Sequence, residues 1–229
     1  MKISLPGKIG LAAFLLFDIF LAIYLFNLYG LSSDRDTLVE LRDIGVSIYP
    51  DQSKLTEFSL LDQTGSEFSN SDLDNRWSLI YFGFTACPDI CPLTMAELEQ
   101  FYIALDESER EDLSIILVTV DPTRDTPEEM AAYVGQFHED FRGLTGDFET
   151  ISLLADDLFV VHEVAGSENS DENGHDDHVE QLPPVGEDYL INHSGHISII
   201  NPQGLRFAVM RPPHRDQDIA TAFRTIKNF

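Results

Sequence analysis

Cysteine and positive charge are scarce in this 229-residue chain, which has two Cys, and 14 Lys plus Arg against 40 Asp plus Glu. Any thiol chemistry must therefore come from the single pair Cys87 and Cys91. The shortage of bases leaves a formal charge of −26, a surface that repels nucleic acid and attracts cations or basic proteins. No internal repeat is evident. One globular domain is expected, and 43% hydrophobic content is enough to build its core. Nothing points to a bound organic cofactor.

Charge is almost missing from one long stretch. Ile9 to Leu31 is 23 residues with Asp18 as its single charge, enough at about 1.5 Å per residue to cross roughly 30 Å of hydrocarbon. It reads as an N-terminal transmembrane helix. No small-x-small cleavage site follows before Ser32, which argues against a signal peptide, and no cysteine lies nearby, which excludes a lipoprotein anchor. Lys2 and Lys8 precede the span and mixed Asp34-Arg35-Asp36 follows it, so the N-terminus is expected in the cytoplasm. The expected organisation is an anchor over 1–31 in the inner, cytoplasmic membrane, a polar stalk over 32–53, and a domain over 54–229 facing the extracytoplasmic space. Beyond the anchor, 12 bases stand against 39 acids, a charge of −27. Asp18 costs about 2.5–3.5 kcal/mol in lipid unless protonated or paired, and can mark a partner helix.

The domain alternates strand and helix signals. Phe58 to Phe68 reads as a hairpin, and Trp77 to Phe84 and Leu113 to Val120 as buried strands. Pro92 to Leu105 has helical apolar spacing with Pro in its first turn. Thr126-Pro127-Glu128-Glu129 opens a second helix, to about Phe137, by an N-cap, Pro at N1 and first-turn acids. A short strand near Phe141 to Leu144 and a helix from Thr150 to about Val161 follow. A hairpin, Ile197 to Ile200 and Leu205 to Val209 around Asn201-Pro202-Gln203-Gly204, precedes a closing helix over Asp216 to Lys227. This is an α/β order, a mixed sheet flanked by helices, and thioredoxin-like in carrying a thiol pair after its first core strand. Residues 166–188 stand apart, with eight acids, no base, His175, His178 and Pro183-Pro184, and read as a flexible acidic insertion, its two His a possible weak cation site.

The thiols sit in Thr85-Ala86-Cys87-Pro88-Asp89-Ile90-Cys91-Pro92, where a strand gives way to a helix. Cysteines at i and i+4 share a face if both are helical, and a helix N-terminus lowers a thiol pKa. A redox pair more often has two intervening residues. Three widen the bite and suit a metal held between two sulfurs, for which soft thiolates select Cu(I) and an added imidazole also admits Cu(II). Structural zinc would want a fourth ligand with no obvious candidate. Seven His compete for the third position, and His193 and His196, just before the last hairpin, are the leading candidates. Met95, Phe101 and Tyr102 fit core packing better than ligation.

These segments together resemble the Sco/SenC family of membrane-anchored copper proteins that serve assembly of cytochrome c oxidase. The resemblance is carried by Tyr81-Phe82-Gly83-Phe84-Thr85 before Cys87-Pro88-Asp89-Ile90-Cys91-Pro92, by Val118-Thr119-Val120-Asp121-Pro122-Thr123-Arg124-Asp125-Thr126-Pro127, and by His193-Ser194 leading into Ile199-Ile200-Asn201-Pro202-Gln203-Gly204. It implies a thioredoxin-like fold, one copper bound by Cys87, Cys91 and His193, and delivery of copper to, or reduction of thiols in, oxidase subunit II. Asp121 matches the family's acidic position near the site. The residue before the ligand His is usually Asp in this family, and here it is Asn192, which bears on copper affinity or partner recognition.

Three readings of the site remain open. The first is a copper chaperone. The second is a thiol-disulfide oxidoreductase in which Cys87 attacks a partner disulfide and Cys91 resolves it, the two thiols cycling through a redox-active disulfide without need of His193. The third is a copper or redox sensor that passes neither metal nor electrons onward. A peroxidase is the weakest alternative, since Arg124 is the only basic candidate near the thiols.

Overall fold

A computed structural model of the chain describes residues 17–25, 35–164 and 191–228. A helical stretch over 17–25 stands first, with Phe17, Ile19, Phe20, Leu21, Ile23, Tyr24 and Leu25 exposed. Among the described residues no helix is long and apolar enough to cross a membrane, and the rest of the expected anchor over 9–31 lies outside them. The domain begins with helix α1 (35–43) and strands β1 (Val46–Lys54), β2 (Ser59–Asp62), β3 (Glu67–Ser69) and β4 (Trp77–Gly83). Helices α2 (Ile90–Ile103) and α3 (Glu107–Glu111), strand β5 (Leu113–Thr119), helix α4 (Pro127–Val134), strand β6 (Arg142–Thr145) and helix α5 (Phe148–Asp157) follow. Strands β7 (His162–Val164), β8 (Ile191–His193), β9 (Ile197–Ile200) and β10 (Leu205–Met210) and helix α6 (Asp216–Lys227) complete it.

Eight strands form one mixed sheet in the order β1-β10-β9-β4-β5-β6-β2-β3, and β7 pairs with β8 in a separate two-stranded ribbon. At the centre β4, β5 and β6 run parallel, and every residue of β4 and β5 is buried. Continuous burial is what a strand covered on both faces requires, and it accounts for the unbroken apolar runs there. The two faces take alternate residues. Leu79 and Tyr81 of β4 join a core with Met95 and Leu98 of α2, Met130 of α4 and Phe223 and Ile226 of α6. Ile80 and Phe82 join a second core with Leu60, Phe68 and Ile151 and Leu154 of α5.

Local signals explain most element ends. Thr126 and Asp147 accept hydrogen bonds from the backbone N–H of Glu129 and Thr150, as N-caps do. The β9–β10 turn closes on the Asn201 side chain, which accepts from Gln203 and Leu205 N–H, and Gly204 takes the left-handed φ of 69° that this turn needs. Helix α5 stops at Asp157, short of the expected Val161, and Phe159 adopts a left-handed φ of 57° just beyond it. The chain then enters β7, so His162 starts a strand and does not end a helix.

Most of the segment expected as a stalk belongs to the domain. Leu41 of α1 and Val46 are each 1% exposed, and β1 pairs antiparallel with β10 through Val46–Met210, Ser47–Val209 and Ile48–Ala208. Its polar residues reflect an edge strand that buries only one end. The insertion over 166–188, with His175 and His178, lies outside the described residues.

Ile226 is 2% exposed at the end of α6, where Lys227 reaches Asp112 just before β5, at the opposite pole of the sheet from the cysteines. Ile226→Ala should lower unfolding free energy by about 2–5 kcal/mol in a urea titration, with no change in thiol reactivity.

Candidate metal centre

β4 ends at Gly83, and the chain turns so that the Cys87 N–H donates to the Phe84 carbonyl at 3.2 Å. Helix α2 then begins at Ile90, with Cys91 in its first turn. The two cysteines therefore do not share a helix face. Cys87 stands in the preceding loop, half-buried against both cores, and Cys91 is fully buried. Both are unbonded thiols. Gly83 packs closely here: a Cβ would lie 3.1 Å from Cys91 Sγ and 3.3 Å from Tyr81 Cε1, so a side chain would press on the thiol and the ring.

His193 reaches the thiols from β8. In the ribbon it pairs with His162, and the next residue is tied to the residue before β7: Ser194 N–H donates to the Val161 carbonyl at 2.8 Å and Val161 N–H to Ser194 Oγ at 3.0 Å. Two further imidazoles brace the loop, since carbonyls only accept and both rings must donate through Nε2. His196 bonds the Leu158 carbonyl at 3.1 Å and His214 the Gly195 carbonyl at 2.7 Å. Burial holds the pKa of both His196 and His214 below the usual histidine value, which keeps them neutral supports.

The His193 ring stands edge-on to Tyr81 and Phe84, with centroids at 5.9 and 6.1 Å. Its Nδ1 lies 3.2 Å from the Ser194 carbonyl and so carries the proton, which leaves the Nε2 lone pair toward Cys91 Sγ at 3.4 Å. The sulfurs of Cys87 and Cys91 and a ring nitrogen of His193 all lie within 4.8 Å of one another, the one such group among the described residues. Two sulfurs and one imidazole nitrogen are a donor set for a soft cation, and among the described residues no fourth ligand of the kind structural zinc takes joins the group.

The thiols are electrostatically unequal. A hydrogen bond from the Cys91 thiol, aided by the Asp89 and Cys91 backbone amides at the start of α2, outweighs partial burial and pushes Cys87 down to about 4. The same hydrogen bond and burial push Cys91 up. At neutral pH the pair keeps one proton, on Cys91.

Of the residues singled out from the sequence, Cys87, Cys91 and His193 converge. Asp121 reaches them indirectly: its buried carboxylate pairs with Arg124, whose guanidinium lies 5.8 Å from the Phe84 ring. Asn192 pairs in register with Glu163, and its side chain lies outside the described residues. His196 and His214 hold the ligand loop and do not join the ligand group. Met95, Phe101 and Tyr102 are core residues. Tyr81 and Tyr133, buried tyrosines whose pKa rises first through burial and then through thiolate charge, surround the site without having been expected there. Asp125 was also missed, although it sits in the same segment as Asp121.

The geometry meets known proteins at this point. A family model described as SCO1/SenC matches residues 47–228. The chain belongs to the SCO1/SenC family. A SCO2-like protein of Rickettsia prowazekii is 35% identical over 159 residues, covering 69% of this chain and 70% of its own. The copper-bound structure of Arabidopsis thaliana ScoI is 27% identical with a TM-score of 0.63, over 77% of this chain and 100% of that one. Copper-bound yeast Sco1 is 28% identical with a TM-score of 0.61, over 77% and 87%. The fold is thus the thioredoxin-like α/β fold of Sco proteins.

Alkylation of the reduced chain should modify Cys87 and spare Cys91. The Cys87 rate should stay level from pH 8 to pH 6, whereas an ordinary thiol slows about tenfold per unit there; a rate that falls with the ordinary thiol profile contradicts the assignment.

Proposed function

We propose that the chain is a membrane-anchored SCO1/SenC protein that holds one copper ion through Cys87, Cys91 and His193 and delivers it to, or prepares the thiols of, the copper site of cytochrome c oxidase subunit II. The observation that carries this reading is the convergence of two sulfurs and one imidazole nitrogen within 4.8 Å. Family membership and the copper held by the Arabidopsis and yeast relatives support it.

The residues divide the work. Cys87 supplies a thiolate at neutral pH, His193 supplies a neutral Nε2, and Cys91 gives up its proton only as the metal binds. Two thiolates favour Cu(I), and the imidazole also accommodates Cu(II). The partial exposure of Cys87 lets an acceptor thiolate approach and replace it first, with buried Cys91 released last.

The same inequality supports a thiol-reducing step. Cys87 thiolate attacks a partner disulfide and expels one partner thiolate. Cys91, deprotonated, then attacks Cys87 sulfur, releasing the second partner thiol and leaving a Cys87–Cys91 disulfide. An acceptor site must be reduced before copper enters it, so the two activities are consecutive.

The anchor over 1–31 rests on the apolar run Ile9 to Leu31, supported by the helical, exposed apolar residues of 17–25. Lys2 and Lys8 then orient the domain to the extracytoplasmic side. The charge of −27 beyond residue 31 suits a basic docking face on the acceptor.

Anaerobic Cu(I) titration of the reduced full-length chain against a chelator tests the reading. One tightly held copper per chain is expected, abolished in Cys87→Ser/Cys91→Ser. Disturbing the hydrogen-bond partner of a ligating His costs about 10–100-fold in affinity, so His193→Ala should weaken binding at least that much. Affinity indifferent to His193, or no binding beside rapid reduction of a partner disulfide, would sink the copper reading and leave the oxidoreductase.

A further inference from the structure

Asp125 is a fully buried carboxylate outside the ligand group, on the loop between β5 and α4. It accepts three hydrogen bonds. The Thr85 N–H and the Thr119 hydroxyl donate to Oδ2 at 3.0 and 2.5 Å, and the Thr85 hydroxyl donates to Oδ1 at 2.5 Å. Thr119 is the last residue of β5, and Thr85 lies two residues beyond the end of β4. One side chain therefore ties together the ends of adjacent parallel strands where the chain turns toward the cysteines. Its own loop is closed, with Asp125 N–H on the Asp121 carbonyl at 2.9 Å and Asp121 N–H on Thr119 Oγ1 at 2.8 Å.

Burying a carboxylate costs free energy that packing alone would not require, and the three donors offset that cost only in this arrangement. What the arrangement controls is the turn between them and the metal. Phe84 and Cys87, on either side of Thr85 and Ala86, are joined by the 3.2 Å backbone bond, and Phe84 is also the ring against which His193 stands.

We propose that Asp125 is a positioning residue of the metal centre, its carboxylate clamping Thr85 to Thr119 and thereby fixing the Phe84–Cys87 turn that sets where the Cys87 sulfur and the His193 ring stand. This rests on Cys87, Cys91 and His193 being the ligands. Asp125→Asn weakens the clamp without removing volume: the amide exchanges charge-assisted hydrogen bonds for neutral ones, and in either orientation its NH2 stands where an oxygen accepted from Thr85.

The full-length chain, Asp125→Asn, Thr85→Val and the Ile226→Ala control would be compared for Cu(I) affinity, for Cys87 alkylation rate in the metal-free reduced state, and for melting temperature. Asp125→Asn should weaken Cu(I) binding about tenfold or more and change the alkylation rate about threefold or more. Thr85→Val should move both in the same direction by less. Ile226→Ala should melt earlier with both readouts unchanged, which separates positioning from stability. If both readouts in folded Asp125→Asn stay within about twofold of the parent, or move no more than in Ile226→Ala, the clamp is structural only and the proposal is overturned. Should Asp125→Asn fail to fold, Thr85→Val decides alone, and parental values there overturn the proposal. A parent chain that binds no copper would remove the copper reading while the alkylation comparison still judges the clamp.

Discussion

His193 lies 102 residues from Cys91, and their contact exists because β4 has a parallel neighbour on one side and an antiparallel neighbour on the other. The seven registered pairs of β4 with β5, Trp77–Leu113 to Gly83–Thr119, bring both strands to an end on the same edge of the sheet. The thiol loop leaves β4 at that edge and the Asp121–Asp125 loop leaves β5 beside it. Carboxyl ends of parallel strands are where open α/β sheets put their ligands. On the other side β9 runs against β4 with Ile197 opposite Tyr81, so the residues entering β9 emerge where those after β4 emerge. A shift of this register by one residue would also turn β9's buried side chains to the other face. The cores on both faces thus specify the metal centre's geometry as a by-product of burying Ile197 and Ile199 on one side and Ile200 on the other.

That geometry sets up an unequal charge balance. One thiolate is stabilised at Cys87 by a thiol and two backbone amides at the head of α2. A second, at buried Cys91, is opposed by its hydrogen bond to Cys87 and by burial, which outweigh the help of the Phe84 backbone and the Tyr81 hydroxyl. Only a cation between the sulfurs makes the second ionisation favourable, so loading the metal and losing the Cys91 proton are one event. The neutral His193 adds a ligand without adding charge, which keeps a twofold-anionic site from becoming threefold in a chain already at −26.

Much of this was legible before the fold was known, and the exceptions have a common cause. Long buried strands such as Trp77–Gly83 and Leu113–Thr119 announce themselves by unbroken apolar runs, and α6 by its apolar spacing. The cysteine pair stood out because the chain has only two thiols, whereas His193 was one of seven histidines, left level with His196 by its place before the last hairpin and singled out by the family resemblance. What escaped were elements whose reason lies in distant partners. β7 and β8 are three residues each, too short for periodicity, and β1 carries polar residues because it is an edge. Asp125 looks in sequence like the second acid of a surface turn. Its burial depends on Thr85, 40 residues earlier, and its only local sign is the helix cap at Thr126 that follows.

The ligand loop carries the last step. Of the three histidines at or beyond residue 193, each of which meets a carbonyl or a sulfur, only His193 has a ring nitrogen directed at the thiols. His196 and His214 spend their Nε2 protons on the Leu158 and Gly195 carbonyls. They fix the backbone while leaving the ligand ring attached to it by its own Nδ1 bond to Ser194. A site meant to retain a metal would bury all of its ligands. Here one of the two sulfurs is half-exposed. The braces define the approach geometry of His193, while the open Cys87 leaves room for a partner's donor atom, as ligand exchange between two proteins requires.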